Sequence, residues 1–261
     1  MKPIVHSTYG ENYNFEFDKS VEIYIDLFPN KTKDANTRIL IVMEPDIISR
    51  ISDQVILRQS EFDYIFTFDE KIISNCKNSI VFEFGTKWVD YINYSYPNKN
   101  FSISTICGYK QISKNHLLRK KLWYKQEKIT NPTDFYISQH GGVDKIKNNK
   151  QLQESKFPLF DSMFHICIEN VSQEYYFSEK LIDCFLCKSM PIYVGCTNID
   201  SYFNVDGMFL ANDINQLIDI CNNLTENDYL SKLDIIEENY QKAIYWSDYN
   251  ARLEKKIKEL I

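Results

Sequence analysis

The stretch FHICIENVSQEYYFSEKLIDCFLCKSMPIYVGC, residues 164–196, decides the fold. With Met163 ahead of it, MFHICIE (163–169) has the length and β-branched content of a buried strand. Ser178 stands where a helix N-cap belongs, and Leu181, Ile182, Phe185 and Leu186 recur on one face of the helix it would start. Lys188-Ser189-Met190-Pro191 then turns the chain into a second strand, PIYVG (191–195). Strand, helix and strand in so short a span imply parallel neighbours joined by a crossover. Between Glu169 and Ser178 the apolar pattern breaks for eight polar and aromatic residues. The loop beyond the carboxyl end of such a strand opens into the crevice where ligands bind, so the break reads as a binding loop.

The same alternation runs through the chain. Strands are expected at 21–28, 38–43, 63–68, 79–84, 101–107 and 134–138 besides the two above, and helices at 46–57, 116–126, 178–187 and 214–224. The fold class is therefore α/β. The polar, proline-bearing NYSYPNKN (93–100) separates two runs of strands and is the expected linker. It divides the chain into two Rossmann-like domains, 1–98 and 99–245, with parallel sheets facing a cleft, followed by a closing segment, 246–261. KIKNNKQLQESK (145–156) reads as a polar loop.

Composition narrows the function. The 261 residues are 44% hydrophobic, enough for a sizeable core, and the net charge of -6 gives no general reason to approach nucleic acid. Seven cysteines, an odd number set mostly in apolar runs, suit reduced thiols in a cytoplasmic protein. No run approaches the roughly 20 apolar residues of a membrane span. Cys184 and Cys187 form a C-x-x-C on an apolar helix, where packing explains them better than zinc. His6, His116, His140 and His165 show no metal-ligand spacing, and His165, in a buried strand, reads as a core residue. Neither a phosphate-binding glycine loop nor a D-x-D acid pair is present, so no metal cofactor is expected and positive side chains must hold any diphosphate.

The first turn of the helix after Ser178 carries Glu179 and Lys180. Free N–H groups there already favour an anion, and cations ordinarily prefer the other end of a helix. A lysine at this end suggests a negative ligand shared between them; a solvated Glu-Lys pair is the plainer alternative.

The order ICIEN, then Tyr176, Ser178-Glu179-Lys180 and PIYVGCTNIDSYFN (191–204) resembles the donor-binding signature of glycosyltransferase family 10, the α-1,3/1,4-fucosyltransferases. NHLLRKKLWY (115–124) resembles the segment whose arginine contacts the donor phosphates, here Arg119, and IVMEPDIISRISDQVILRQSEFDYIFTFDE (41–70) resembles the first-domain stretch that carries the proposed catalytic base, here Glu44. The resemblance implies a GT-B fold and an inverting fucosyltransferase, active without a metal, that moves L-fucose from GDP-fucose to a hydroxyl of an acceptor glycan. Arg119 and Lys180 would hold the departing diphosphate, Glu179 the ribose, and Asn170 and Tyr176 the sugar or phosphates. Glu169 would close the loop by accepting N–H bonds. Asp63, Asp69 and Glu70 compete with Glu44 for the role of base, and Glu44 before Pro45 can also be read as a turn acid. Two other functions stay open: a transferase of the same fold using another nucleotide sugar, and a catalytically silent glycan- or nucleotide-binding protein. The terminal ARLEKKIKELI (251–261) has an apolar stripe that either docks on the first domain or makes a peripheral contact with an anionic membrane.

Overall fold

The computed structural model describes residues 1–9, 13–30, 35–139, 141, 143, 144, 146 and 149–261, and every strand pairing among them is parallel. His140 and part of 145–156 lie outside the described residues. The chain forms two compact units: Met1–Phe84 with Glu174–Tyr176 and Asp248–Ile261, and Gly85–Gln173 with Phe177–Ser247.

The first unit holds a five-stranded sheet in sequence order, β1 (Ile4–Ser7), β2 (Val21–Ile25), β3 (Thr37–Ile41), β4 (Tyr64–Thr67) and β5 (Ser79–Val81). α1 (Asp46–Ser49), α2 (Ser52–Leu57) and α3 (Glu70–Asn75) connect its later strands. The helix expected over 46–57 is broken because Arg50 takes a left-handed conformation, φ 56°, and closes α1 as its C-cap. Val55 and Ile72 join Leu40, Val42 and Ile65 in one core of this sheet. A second core gathers Tyr13, Phe15 and Phe17 from the loop after β1, alternate residues Ile23, Ile25, Ile39 and Ile41, and Tyr249, Leu253 and Ile257 of the last helix. Alternation along the strands assigns the two groups to opposite faces.

The second unit holds six strands in the order β11-β10-β9-β6-β7-β8: β6 (Asn100–Cys107), β7 (Thr133–Ile137), β8 (Lys150–Gln151), β9 (Ser162–Ile168), β10 (Met190–Val194) and β11 (Phe209–Leu210). Its helices are α4 (Lys114–Trp123), α5 (Glu179–Leu186), α6 (Ile214–Asn223), α7 (Glu226–Leu230) and α8 (Leu233–Ser247). α5 packs in a core with Ala243 of α8, while Leu122 and Trp123 of α4 pack with Leu217 and Cys221 of α6 in another. The chain first passes between units at Phe84 and Gly85, ahead of the 93–100 segment. The reason is local: the Trp88 and Val89 N–H groups donate to Asp183 Oδ1 of α5 at 2.8 and 3.2 Å, and buried Tyr94 donates its hydroxyl to the Phe160 carbonyl at 3.0 Å. All seven cysteines are free and buried.

The chain ends in α9 (Tyr249–Leu260), N-capped by Asp248, whose carboxylate accepts the Ala251 N–H at 3.0 Å. Leu253 and Ile257 are fully buried, with Leu260 and Ile261 packed on the same core, so the apolar stripe is occupied within its own unit and does not face outward to a membrane. No helix among the described residues is long and apolar enough to cross a membrane. Leu253→Ala should destabilise the first unit by about 2–5 kcal/mol, the usual cost of emptying a well-packed leucine site. Urea unfolding checks this, and a loss below about 1 kcal/mol would mean that α9 is not part of that core.

Candidate functional site

In the second sheet β6 and β9 are neighbours, yet the chain leaves them in opposite directions, through α4 towards β7 and through α5 towards β10. Such a reversal opens a crevice at the strands' carboxyl ends, the ordinary ligand position in a parallel α/β sheet. The loops after these two strands, with the first two turns of α4 and the first turn of α5, carry Ser113, His116, Arg119, Asn170, Ser178, Glu179 and Lys180.

Glu169, fully buried just past the end of β9, holds the loop shut. Its two carboxylate oxygens accept from the Ser178 N–H at 2.8 Å and the Ser178 hydroxyl at 2.6 Å. Burial pushes this carboxyl up, while Lys180 opposes the rise. The glycine of PIYVG is required by the same knot: a Cβ on Gly195 would stand 2.6 Å from Glu169 Cγ and would also strike the Tyr193 ring. The Tyr193 hydroxyl in turn accepts the Cys196 N–H at 2.9 Å.

With the loop fixed, Lys180 is placed among acceptors. Its ammonium lies 2.9 Å from Glu179 Oε1, 3.2 Å from Ser178 Oγ and 4.0 Å from Glu169 Oε2, and a quarter of the side chain remains exposed. Lys156 approaches from the other side, 4.0 Å from Glu179 and 3.2 Å from Asp183. Burial penalises the Glu179 charge, but Lys180 and then Lys156 outweigh it and hold the carboxyl down at about 2. Burial likewise opposes the Lys180 charge, and Glu179 and Glu169 overcome it, so its pKa is raised. The pair is ionised, and the lysine at the positive end of α5 is electrostatically supported by these acids.

Arg119 reaches across from α4. Its guanidinium donates to the Ile168 carbonyl from Nε at 3.0 Å and from Nη2 at 2.6 Å, and from Nη2 to Asn170 Oδ1 at 3.0 Å. Ser113, the N-cap of α4, donates its hydroxyl to the Asn170 carbonyl and lies 2.6 Å from His116 Nδ1. Burial, followed by the charges of Arg119, Lys110 and Lys180, lowers the His116 pKa to about 4, so the imidazole is neutral within a ring of cations. Ser113, Lys110 and Lys156 were not singled out from sequence; only the N-cap spacing of Ser113 to His116 carried a readable signal.

The structure thus brings Arg119, Asn170, Glu179 and Lys180 together. Tyr176 goes elsewhere: it is 2% exposed, its ring lies 4.8 Å from Phe68, and with Glu174, whose N–H donates to Glu70 Oε1 at 3.1 Å, it belongs to the first unit. Glu44 is partly exposed just beyond β3 in that same unit, ahead of Pro45. Glu44 and its three competitors all have partners of their own. Asp69 caps α3 through the Lys71 and Ile72 N–H groups and accepts the Ser52 hydroxyl, Asp63 accepts the Arg38 N–H at the opposite end of the sheet, and Glu70 holds Glu174. His165 is a core residue, its Nδ1 2.7 Å from Ser104 Oγ. Among the described residues no group of three or more His, Cys, Asp or Glu could hold a metal ion, and Cys184 and Cys187 sit in the α5 core.

No family model and no curated protein matches the sequence. Solved structures do match in shape. An α1,3-fucosyltransferase with GDP superposes with a TM-score of 0.53 at 16% identity, over 88% of this chain and 77% of that one. Anabaena HepE in complex with UDP-glucose gives 0.57 at 9%, over 84% and 72%. The pneumococcal O-GlcNAc transferase GtfA in complex with UDP and GlcNAc gives 0.53 at 10%, over 92% and 56%. The fold is the GT-B fold of glycosyltransferases. Identities this low carry the fold and nothing finer.

The position of His116 has a measurable consequence. Its folded pKa, about 4, lies below the ordinary value of 6.5, so on acidification the unfolded chain takes the proton first. Stability contributed at this residue should fall as pH drops from about 6.5 to about 4 and level off below that. Urea unfolding of the wild type and His116→Asn across this range should show a shallower slope in the variant; identical slopes would contradict the shifted pKa.

Proposed function

We propose that this protein is an inverting glycosyltransferase that moves L-fucose from GDP-fucose to a hydroxyl of an acceptor glycan. The observation that carries the reading is the convergence of Arg119, Lys180 and the first turn of α5 at the switch point of the second sheet, with the ionised Glu179 beside them. Two cations and the N-terminus of a helix suit a diphosphate, and a carboxylate kept ionised beside them accepts hydrogen bonds from a ribose. The solved α1,3-fucosyltransferases include structures with GDP and with GDP-fucose. The fucosyl reading also rests on the resemblance of residues 164–204 to the family's donor signature.

In this reaction the acceptor oxygen attacks the anomeric carbon as the bond to the diphosphate oxygen breaks on the opposite face, and GDP leaves with the bonding electrons. Arg119 and Lys180 stabilise the charge that grows on the departing diphosphate, which makes a metal cofactor unnecessary. Glu44 takes the acceptor proton. Asn170, fixed by Arg119, orients the donor. Tyr176, packed against Phe68, acts on the donor only by shaping the loop between Asn170 and Ser178. A second reading, transfer from another nucleotide sugar, is favoured by the similarity to HepE with UDP-glucose.

Lys180→Ala and Arg119→Ala should each weaken GDP binding by about 10- to 100-fold, corresponding to the loss of a charge-assisted bond of about 1.5–3 kcal/mol. Each should also lower transfer from GDP-fucose by a further factor arising from the transition state. Calorimetry with GDP checks the first effect, with the exposed Lys258→Ala as control. Undiminished binding in either variant would remove that cation from the site.

A further inference from the structure

β1, β2 and β3 run in register, with Ser7 opposite Ile25 and Ile25 opposite Ile41, so the residues just after them emerge at one carboxyl edge. These residues are Tyr9, Asp26 and the Met43-Glu44 pair. Asp26 leaves β2 in a left-handed conformation, φ 50°, which costs a residue with a Cβ roughly 1–2 kcal/mol. The turn carries its carboxylate sideways onto the end of β3, where Oδ1 accepts the Met43 N–H at 3.0 Å; the Glu44 N–H adds a further bond. Oδ2 accepts the hydroxyl of Tyr9 at 3.1 Å, and Tyr9 is half exposed. Asp26 belongs to neither apolar core of this unit. Asp26 instead grips the two backbone amides that set where Glu44 stands, and opens on its other side to solvent beside a phenol.

We infer that Asp26 is a positioning residue for Glu44: its carboxylate fixes the backbone from which Glu44 projects and stands beside it as a like charge, so that each carboxyl feels the ionisation of the other. The inference deepens the reading in which Glu44 is the base of a sugar transfer. Two neighbouring carboxylates cannot lose their protons independently: the first to ionise makes the second a stronger base. Burial, with Glu44 as the like charge, raises the Asp26 pKa to about 6 against the opposing donors Met43, Tyr9 and the Glu44 amide. Tyr9 and Glu44 are the titratable groups that face it among the described residues. Near pH 7 an ionised Asp26 would thus strengthen Glu44 as a proton acceptor without touching the sugar itself.

The test is a carboxyl-carbon NMR titration of the full chain, wild type against Asp26→Asn, Glu44→Gln and Tyr9→Phe, with GDP affinity and melting temperature measured alongside. Reciprocal coupling is expected. Glu44→Gln should move the Asp26 midpoint down by about one unit, Asp26→Asn should move that of Glu44 down similarly, and Tyr9→Phe should move Asp26 up. GDP affinity should stay unchanged in all three. An Asp26 that titrates near 4 and ignores Glu44→Gln overturns the pairing. If Asp26→Asn fails to fold, the other two variants still decide it, because both are read at Asp26 itself. Coupling without any GDP binding would sink the transferase reading and leave the pair standing; GDP binding without coupling would sink the pair alone.

Discussion

The candidate site depends on the buried carboxylate of Glu169 accepting both the amide and the hydroxyl of Ser178. That pair of hydrogen bonds closes an eight-residue loop and orients the first turn of α5. Burying a charge is costly, and it is tolerated here because two donors and the ammonium of Lys180 face it. The consequences extend outward. Lys180 is held at the positive end of a helix by the acids on either side of it, Gly195 must lack a side chain so that Glu169 can fit, and Glu179 is kept ionised between two lysines. The candidate site is a charge arrangement fixed by the protein's own donors and acceptors.

Electrostatic design differs between the two units. The second concentrates cations about a neutral histidine at a switch point in strand order. The first has no such reversal, its strands following one another in sequence, and its carboxyl edge is acidic, with Asp26 and Glu44 side by side. A reaction that needs cations on a leaving group and a base for an incoming hydroxyl calls for these two environments.

Much of this was legible in the sequence, and the exceptions have physical causes. All eight expected strands are present, several of them shorter, because β-branched and aromatic runs between turn residues are a strong signal. β8 and β11 have two residues each and take their strand geometry from a neighbour, so no period exists to read. α8 was missed although it has 15 residues: its buried face is Ile236, Asn239, Ala243 and Ser247, helical in spacing but hardly apolar. Arg119, Asn170, Glu179 and Lys180, which the motif spacing singles out, stand at the switch point of the second sheet. Tyr176 takes its place in that motif, whereas its ring is packed against Phe68 within the first unit. Asp26 escaped notice because VEIYIDLF reads as one strand, and nothing in its composition announces a left-handed turn at the acid.

As a fucosyltransferase, the protein would receive a guanosine diphosphate at the Arg119–Lys180–α5 arrangement. Thermal unfolding of the full chain with GDP, GDP-fucose, UDP, UDP-glucose and CDP, at equal concentrations and in EDTA, tests it most directly. A ligand that binds only the folded state adds about 2.7 kcal/mol at a hundredfold excess over its dissociation constant. GDP and GDP-fucose should raise the melting temperature by several degrees and the other nucleotides should not, with the rise lost in Lys180→Ala. A rise with UDP or UDP-glucose but none with GDP would contradict the account, as would a GDP rise that survives in Lys180→Ala.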